Sequence, residues 1–268
     1  TALGIKRQEK ALSYNVQQVK SEDIVTVKDA NFMNALNGKV AGMSMSSAGT
    51  GPGGTVRVTL RGDTSLNYGA NEALFVIDGI PMSNGTVASG SGANYANSNA
   101  PVDFGNPISD LNPDDIENVS VLKGPAAAAL YGSMGQNGVV LITTKQGSRK
   151  RGPEISFSTF VGISKVTKSY DVLNARQYRD LMEENGAVSG LPADLTDRTD
   201  WFDETYSTGV NQNYQFSVSN GDENSSYYLG GGYTNEKGII NTTSSDRYNV
   251  KASFDKKIFK WVSANAST

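Results

Sequence analysis

The chain of 268 residues contains no cysteine and no histidine. The first absence excludes disulfides and thiol chemistry, though it does not identify a compartment. The second removes the commonest metal ligand and the commonest general base. Neither sign of charge dominates: 24 basic against 27 acidic residues leave a net −3, and no basic cluster offers a stripe for phosphates. Nucleic acid is therefore not an expected partner. No run reaches the ~18 apolar residues that a membrane helix needs, and no charged start with an apolar core marks a signal peptide after Thr1. A β-barrel is not excluded by this, because its lipid-facing and lumen-facing residues alternate and keep hydropathy low. Glycine, by contrast, is plentiful at 29 residues, about 11% of the chain against a usual ~7%.

The stretch around which the chain is organised runs from Asn112 to Gly147, NPDDIENVSVLKGPAAAALYGSMGQNGVVLITTKQG. Asn112 can cap a helical turn, Pro113 suits its first position, and Asp114 and Asp115 meet the positive end of its dipole. Val119 to Leu122 reads as a short apolar strand. Gly124 and Pro125 open a helix made almost wholly of alanine, which Gly132 closes. Gly138 to Lys145 then reads as a fully buried strand. Such a helix can pack backbone-close on a sheet, and the unit carries no reactive group.

Ahead of it come shorter elements. Tyr14, Val16 and Val19 suggest a strand. Asp29 or Asn31 can cap a helix through Phe32, Met33 and Leu36 that ends at Asn37 and Gly38. Strands are expected at Val40 to Met45, Thr55 to Arg61 and Ala73 to Ile77, the last stopped by the turn Asp78 to Pro81. The glycine-rich stretch Gly49 to Gly54 lacks the lysine and Ser/Thr of a phosphate loop and precedes a strand, so it reads as a hairpin turn. From Ser83 to Asn106 the composition turns to Ser, Gly, Asn and Ala with a lone Tyr95, which is long for a loop in a compact domain. Asn94, Tyr95 and Asn97 are side chains of the kind that hold sugar or peptide by hydrogen bonds and stacking; a solvated loop is the plainer reading. Asp103, Asp110, Asp114 and Asp115 lack the spacing of a calcium loop and are better read as helix-end charges. No carboxylate pair or metal site stands out, so an enzyme is not expected.

After the charged break Gln146 to Pro153 the period changes to two. Ile155, Phe157, Thr159, Val161 and Ile163 share one face, with Ser156, Ser158, Phe160, Gly162 and Ser164 on the other. The alternation returns in Asn213 to Ser219, in Ser225 to Thr234 (Tyr227, Leu229 and Tyr233 together), and in Arg247 to Asp255. There Tyr248, Val250, Ala252 and Phe254 oppose Asn249, Lys251, Ser253 and Asp255. A fifth strand is expected from Trp261. The connections run long, short, medium, short: Lys165 to Gln212, with an amphipathic helix from Val172 to Glu184, then Gly221 to Asn224, Asn235 to Asp246, and Lys256 to Lys260. Loops sorted by length to opposite ends suit an outer-membrane barrel better than a β-sandwich.

The central motif resembles the end of the plug domain in TonB-dependent outer-membrane transporters of the SusC/RagA family. The matching residues are Asn112, Pro113, Asp115, Ile116, Glu117, Val119 to Gly124, Ala128 to Gly132, Asn137 to Val139 and Ile142 to Lys145. Met134 departs from the pattern, where many relatives carry arginine, which puts any fixed plug salt bridge there in doubt. Leu60 to Gly62, Leu74, Val76 to Gly79 and Pro81 are similar to a second family motif, and Thr1 to Arg7 with Lys10 to Val19 to the opening of the plug.

The resemblance implies an α+β plug, residues 1–150, followed in residues 151–268 by the first antiparallel strands of a large transmembrane β-barrel. Plugged barrels use about 22 strands, so a partial chain is expected. It further implies a multi-pass outer-membrane protein, not an enzyme and without cofactor, that imports oligomeric nutrients. Glycans are the first expectation and peptides the alternative. The implied partners are a SusD-like surface lipoprotein, TonB through a segment upstream of Thr1, the substrate oligomer and membrane lipid, in a dimer of SusCD-like pairs. A cell-surface glycan-binding protein without transport is the rival of another class.

Overall fold

The computed structural model describes residues 16–25, 29, 31–47, 51–63, 65–66, 71–82, 105–124, 129–147, 152–186, 199–259 and 261–268. Two five-stranded sheets dominate it. In the first, strands lie in the order β1 (Val16–Lys20), β6 (Ile116–Leu122), β7 (Val139–Thr144), β4 (Leu74–Ile77), β5 (Ile80–Met82). All neighbours are antiparallel except β4 and β7, which run parallel. A separate hairpin, β2 (Met43–Ser47) with β3 (Val56–Leu60), and two short helices, α1 (Ser21–Val25) and α2 (Phe32–Leu36), accompany this sheet.

Both faces of β7 are covered, which is why its sequence is continuously apolar rather than alternating. Val140 and Ile142 join Phe75, Val119, Val121, Val58, Ile24, Phe32, Met33 and Leu36 in the main core. Val139 and Leu141 turn the other way, to Leu74, Val76 and Leu122, under Leu130 and Tyr131. Each such side chain contributes roughly 1.5–3 kcal/mol by leaving water. Asn31 caps α2 by accepting from the Met33 amide at 3.1 Å, while Asp29 accepts from the Asn31 amide at 2.9 Å, so both expected capping residues take part. Helix at Ala129 to Tyr131 gives way at Gly132 (φ 64°) to a 3-10 turn, as the glycine stop predicts.

The second sheet is an antiparallel meander, β8 (Glu154–Ser164), β9 (Gly209–Gly221), β10 (Ser225–Lys237), β11 (Ser244–Phe259) and β12 (Val262–Ser267), in sequence order. Its register lines up Ile155 with Val218, Leu229 and Ala252, and Phe157 with Phe216, Gly231 and Val250. This face is apolar and exposed: Phe157 is 67% and Val250 77% accessible. The opposite face is polar and buried, with Gln215, Ser226, Tyr228, Thr234 and Ser253 covered by the first sheet and its turns. A soluble sandwich hides its apolar side. This sheet is inside out, as the wall of a membrane barrel must be.

Several boundaries differ from the sequence expectation. The strand expected at Val40 to Met45 begins at Met43, because a turn occupies Lys39 to Gly42 and buries Val40 as an anchor. The stop at Asp78 is the turn of a hairpin, with Ile80–Met82 returning against β4. Asp78 takes a left-handed conformation (φ 47°), and its carboxylate accepts from the Thr144 amide at 2.9 Å and from the Thr144 hydroxyl. Of the turn expected at Lys256 to Lys260, the residues up to Phe259 are strand instead: β11 continues to Phe259 through an irregularity between Lys257 and Phe259. In the long connection, α3 (Ala175–Glu184) starts only after its capping box, Asn174 with Gln177, leaving Val172 and Leu173 outside the helix. A second helix there, α4 (Trp201–Thr205), was not expected; Asp200 caps it.

Candidate functional site

The chemistry lies where the first sheet's turns meet the inner face of the strand wall. Asn112 shapes a 3-10 turn, Pro113–Asp115, by accepting from the Asp114 amide at 3.1 Å. This presents the Asp115 carboxylate to the wall, where only 5% of the residue stays exposed. Tyr228 donates its hydroxyl to Asp115 Oδ1 at 2.7 Å. Asn249 donates to Oδ2 at 3.3 Å, and Asn112 donates to the same oxygen at 3.2 Å. The sequence alone makes Asp115 a helix-end charge; its main role is instead this cross-interface bond. Tyr228 on the polar face of an alternating strand, with Gly230 to Gly232 two positions on, is the signal the sequence holds.

The first of these glycines follows from the approach. A β-carbon at Gly230 would stand 3.0 Å from Asp115 Oδ1 and 3.0 Å from the Tyr228 ring, so the wall gives up a side chain where the carboxylate enters. The Lys251 ammonium lies 5.6 Å from the centre of the Tyr228 ring, a cation–π distance. Among the described residues Lys251 Nζ has no hydrogen-bond partner. Nearer the other end of the wall, Arg247 donates to the Ser109 carbonyl.

Two polar crevices open along this interface, towards the wall end that carries the long connection. One, of about 290 Å³, lies between Asp29 and Asp114 on one side and Phe160, Asn211, Asn213 and Glu236 on the other. The second, of about 220 Å³, is bordered by Asn34, Gly53, Asp110, Asp246 and Arg247. Of the hairpin turn expected at Gly49 to Gly54, the described part from Gly51 sits here, with the Gly53 α-carbon facing Ser245. Gly105 packs against the Gly53 carbonyl so closely that a β-carbon would stand 2.5 Å from it. Asn106 then donates to the Val56 carbonyl at 2.9 Å. The returning end of the Ser83 to Asn106 loop is thereby fixed beside the crevice. Asn94, Tyr95 and Asn97 themselves lie outside the described residues.

At the edge of the first sheet, Lys123 donates to Gln17 Oε1 at 2.8 Å and to the Ala41 carbonyl at 2.6 Å. Burial, and then the charge of Arg61, hold its pKa below the usual lysine range. Burial pushes the Glu72 carboxyl upward, with Arg57 opposing it. Among the described residues no three His, Cys, Asp or Glu gather closely enough to hold a metal ion. The arrangement can clamp one layer to another and offer hydrogen bonds to a polar solute.

Comparison with known proteins agrees with this geometry. Residues 8–139 match the TonB-dependent receptor plug domain. The chain is 34% identical over 247 residues to the TonB-dependent receptor SusC of Bacteroides thetaiotaomicron, covering 92% of this chain and 23% of that protein. It is 32% identical over 253 residues to the TonB-dependent receptor P3 of Formosa agariphila, covering 93% of this chain and 22% of that one. The fold matches the RagAB peptide importer in its open-open state with a TM-score of 0.80 at 24% identity, over 100% of this chain and 31% of that one. The siderophore receptor PirA of Acinetobacter baumannii matches at a TM-score of 0.56 and 17% identity, over 91% and 29%. The chain belongs to the SusC/RagA family of TonB-dependent transporters, outer-membrane β-barrel proteins, and spans about a quarter of the length of the curated relatives it matches.

Proposed function

We propose that this member of the SusC/RagA family supplies the plug and first wall strands of an importer of oligomeric nutrients, glycans in the first instance. A SusD-like lipoprotein covers its mouth and TonB drives it. The observation that carries the reading is the 34% identity to SusC along 92% of the chain. The plug occupies residues 1–150 and the wall begins after the polar break that follows Lys145. Limited proteolysis of the native membrane protein checks that division: residues 1–150 stay protected within the barrel, whereas free digestion of them refutes a plug.

Substrate recognition falls to the loop from Ser83 to Asn106, with Asn94, Tyr95 and Asn97 as its contacts. Support comes from its composition and from its returning end, which is tied at Gly105 and Asn106 beside crevices at the long-loop end of the wall. Adaptable amide donors and an aromatic platform are what a polar oligomer requires. Deleting Ala88 to Ala100 in the full transporter tests this. Normal membrane insertion with lost substrate binding and lost growth on the nutrient is the expected result; unchanged affinity and growth overturn it. Peptides are the alternative cargo. RagAB is a peptide importer with this fold, but the 24% identity carries the fold and not the cargo.

A further inference from the structure

We propose that Asp115 is the positioning residue that seats the plug on this side of the barrel, and that its bonds to Tyr228 and Asn249 are a contact that must break for the plug to leave the wall. The proposal rests on the reading above, in which the plug closes the lumen.

Three features carry it. The first is connectivity. Asp115 belongs to the plug's central motif, while Tyr228 and Asn249 project from adjacent wall strands, β10 and β11. One carboxylate therefore staples two strands of the wall to the plug. The second is burial. Both carboxylate oxygens are satisfied inside the interface, at 2.7 Å by Tyr228 and at 3.2 and 3.3 Å by Asn112 and Asn249. Hydrogen bonds to an ionised acceptor are the strong ones, and a buried carboxylate stripped of donors is costly. Asn112 travels with Asp115, but the plug cannot slide a little way while keeping the bonds to Tyr228 and Asn249. It is either seated or displaced far enough for water to reach Asp115, which is a two-state element. The third is the shape of the wall, which lacks a side chain at Gly230 where one would press on Asp115 Oδ1.

The electrostatics suit a contact that must also release. The hydrogen bonds to Asp115 come from neutral groups, a phenol and two amides. The Lys251 charge stands behind the phenol ring, 5.6 Å from its centre, rather than in an ion pair with the carboxylate. Separating neutral donors from the carboxylate leaves one ion to be rehydrated, where a buried salt bridge would leave two.

The test uses the full transporter purified from outer membranes and inserted in planar lipid bilayers, with ion conductance as the readout. Wild type, a plug-deleted barrel, the pair Tyr228→Phe with Asn249→Ala, and the control Tyr227→Phe on the outer face are compared. The double variant is expected to raise the open fraction at least tenfold, with the amount of heat-modifiable folded barrel unchanged. The control stays closed. Asp115→Asn alters no wall residue and turns one acceptor into a donor facing Asn112 and Asn249. It gives the same leak and keeps the test decisive if the double variant inserts poorly. A closed Asp115→Asn protein overturns the proposal. A wild type that conducts like the plug-deleted barrel refutes instead the reading that the plug closes the lumen.

Discussion

Leu60 occupies the space that a side chain at Gly138 would need: a β-carbon there would lie 2.5 Å from Leu60 Cδ1 and 3.1 Å from the Leu122 carbonyl oxygen. Gly138 also holds φ at 94°, at the entrance to the buried strand β7. Replacing it by alanine costs about 1–2 kcal/mol for the backbone conformation and about 1–3 kcal/mol for overpacking. In the intact protein, hydrogen exchange at Val140 to Ile142 should accelerate accordingly. Unaltered protection would show that the plug core tolerates the side chain and that Leu60 and the Leu122 carbonyl give way to it.

The two faces of the wall should respond differently to charge. Val250 is 77% exposed on the apolar face, and Ser156 lies on the inner face opposite Ser217. Arginine at Val250, if near the bilayer midplane, should cost roughly 2–4 kcal/mol of folding into lipid vesicles, and arginine at Ser156 far less. Equal penalties would mean that the strands are turned the other way round. Ser253 is unsuitable for the comparison, because only 5% of it is exposed and a long side chain there would have no room.

The turn joining β9 to β10 carries its own pH dependence. Asp222 accepts from the Asn224 amide at 2.7 Å and from the Ser225 amide at 2.6 Å, and these backbone donors hold its pKa below the ordinary carboxylate value. A depressed folded-state pKa means that its stabilising effect is complete above the unfolded pKa and disappears as pH falls through the folded one. Asp222→Ala should therefore weaken the hairpin at pH 7, and the difference from wild type should vanish at the acid end of the carboxylate range. Exchange rates of the turn amides, followed from pH 7 downward, check this. A difference that persists in acid would assign the effect to side-chain shape and not to charge.

The wall was legible in sequence because barrel strands bury one face and expose the other to lipid, so alternation survives in every strand from Ile155 to Phe254. The central motif was legible for a different reason: Asn112, Gly132 and Gly138 hold local conformations that few residues can replace. What escaped was long-range. Asp115 and Tyr228 are separated by 113 positions, and nothing in the neighbourhood of either states that they meet. The capping pattern around Asp115 was real and sufficed as a local explanation, which is why the contact was hidden behind it. The end of β11 was misplaced because Lys256 to Lys260 looks like a polar turn, while the ladder to Ala264 and Ser263 carries it on. Tyr95 and its neighbouring asparagines were singled out by composition alone, which marks a loop without giving it a position.

The order of strands in the first sheet fixes a timetable for its assembly. β1 pairs with β6, joining Val19 to Val119, and β4 pairs in parallel with β7. Neither partner exists until the second half of the plug segment has been made and exported. Loop closure over such separations is slow, and proteins dominated by distant pairings fold late. The wall hairpins β9–β10 and β10–β11 close over a few residues each. The sheet of the plug therefore closes over far longer spans than the wall hairpins, although β6 and β7 precede every wall strand in the chain. Until β6 has been made, β1 has no strand to pair with, and an unpaired edge is a template for pairing with other chains.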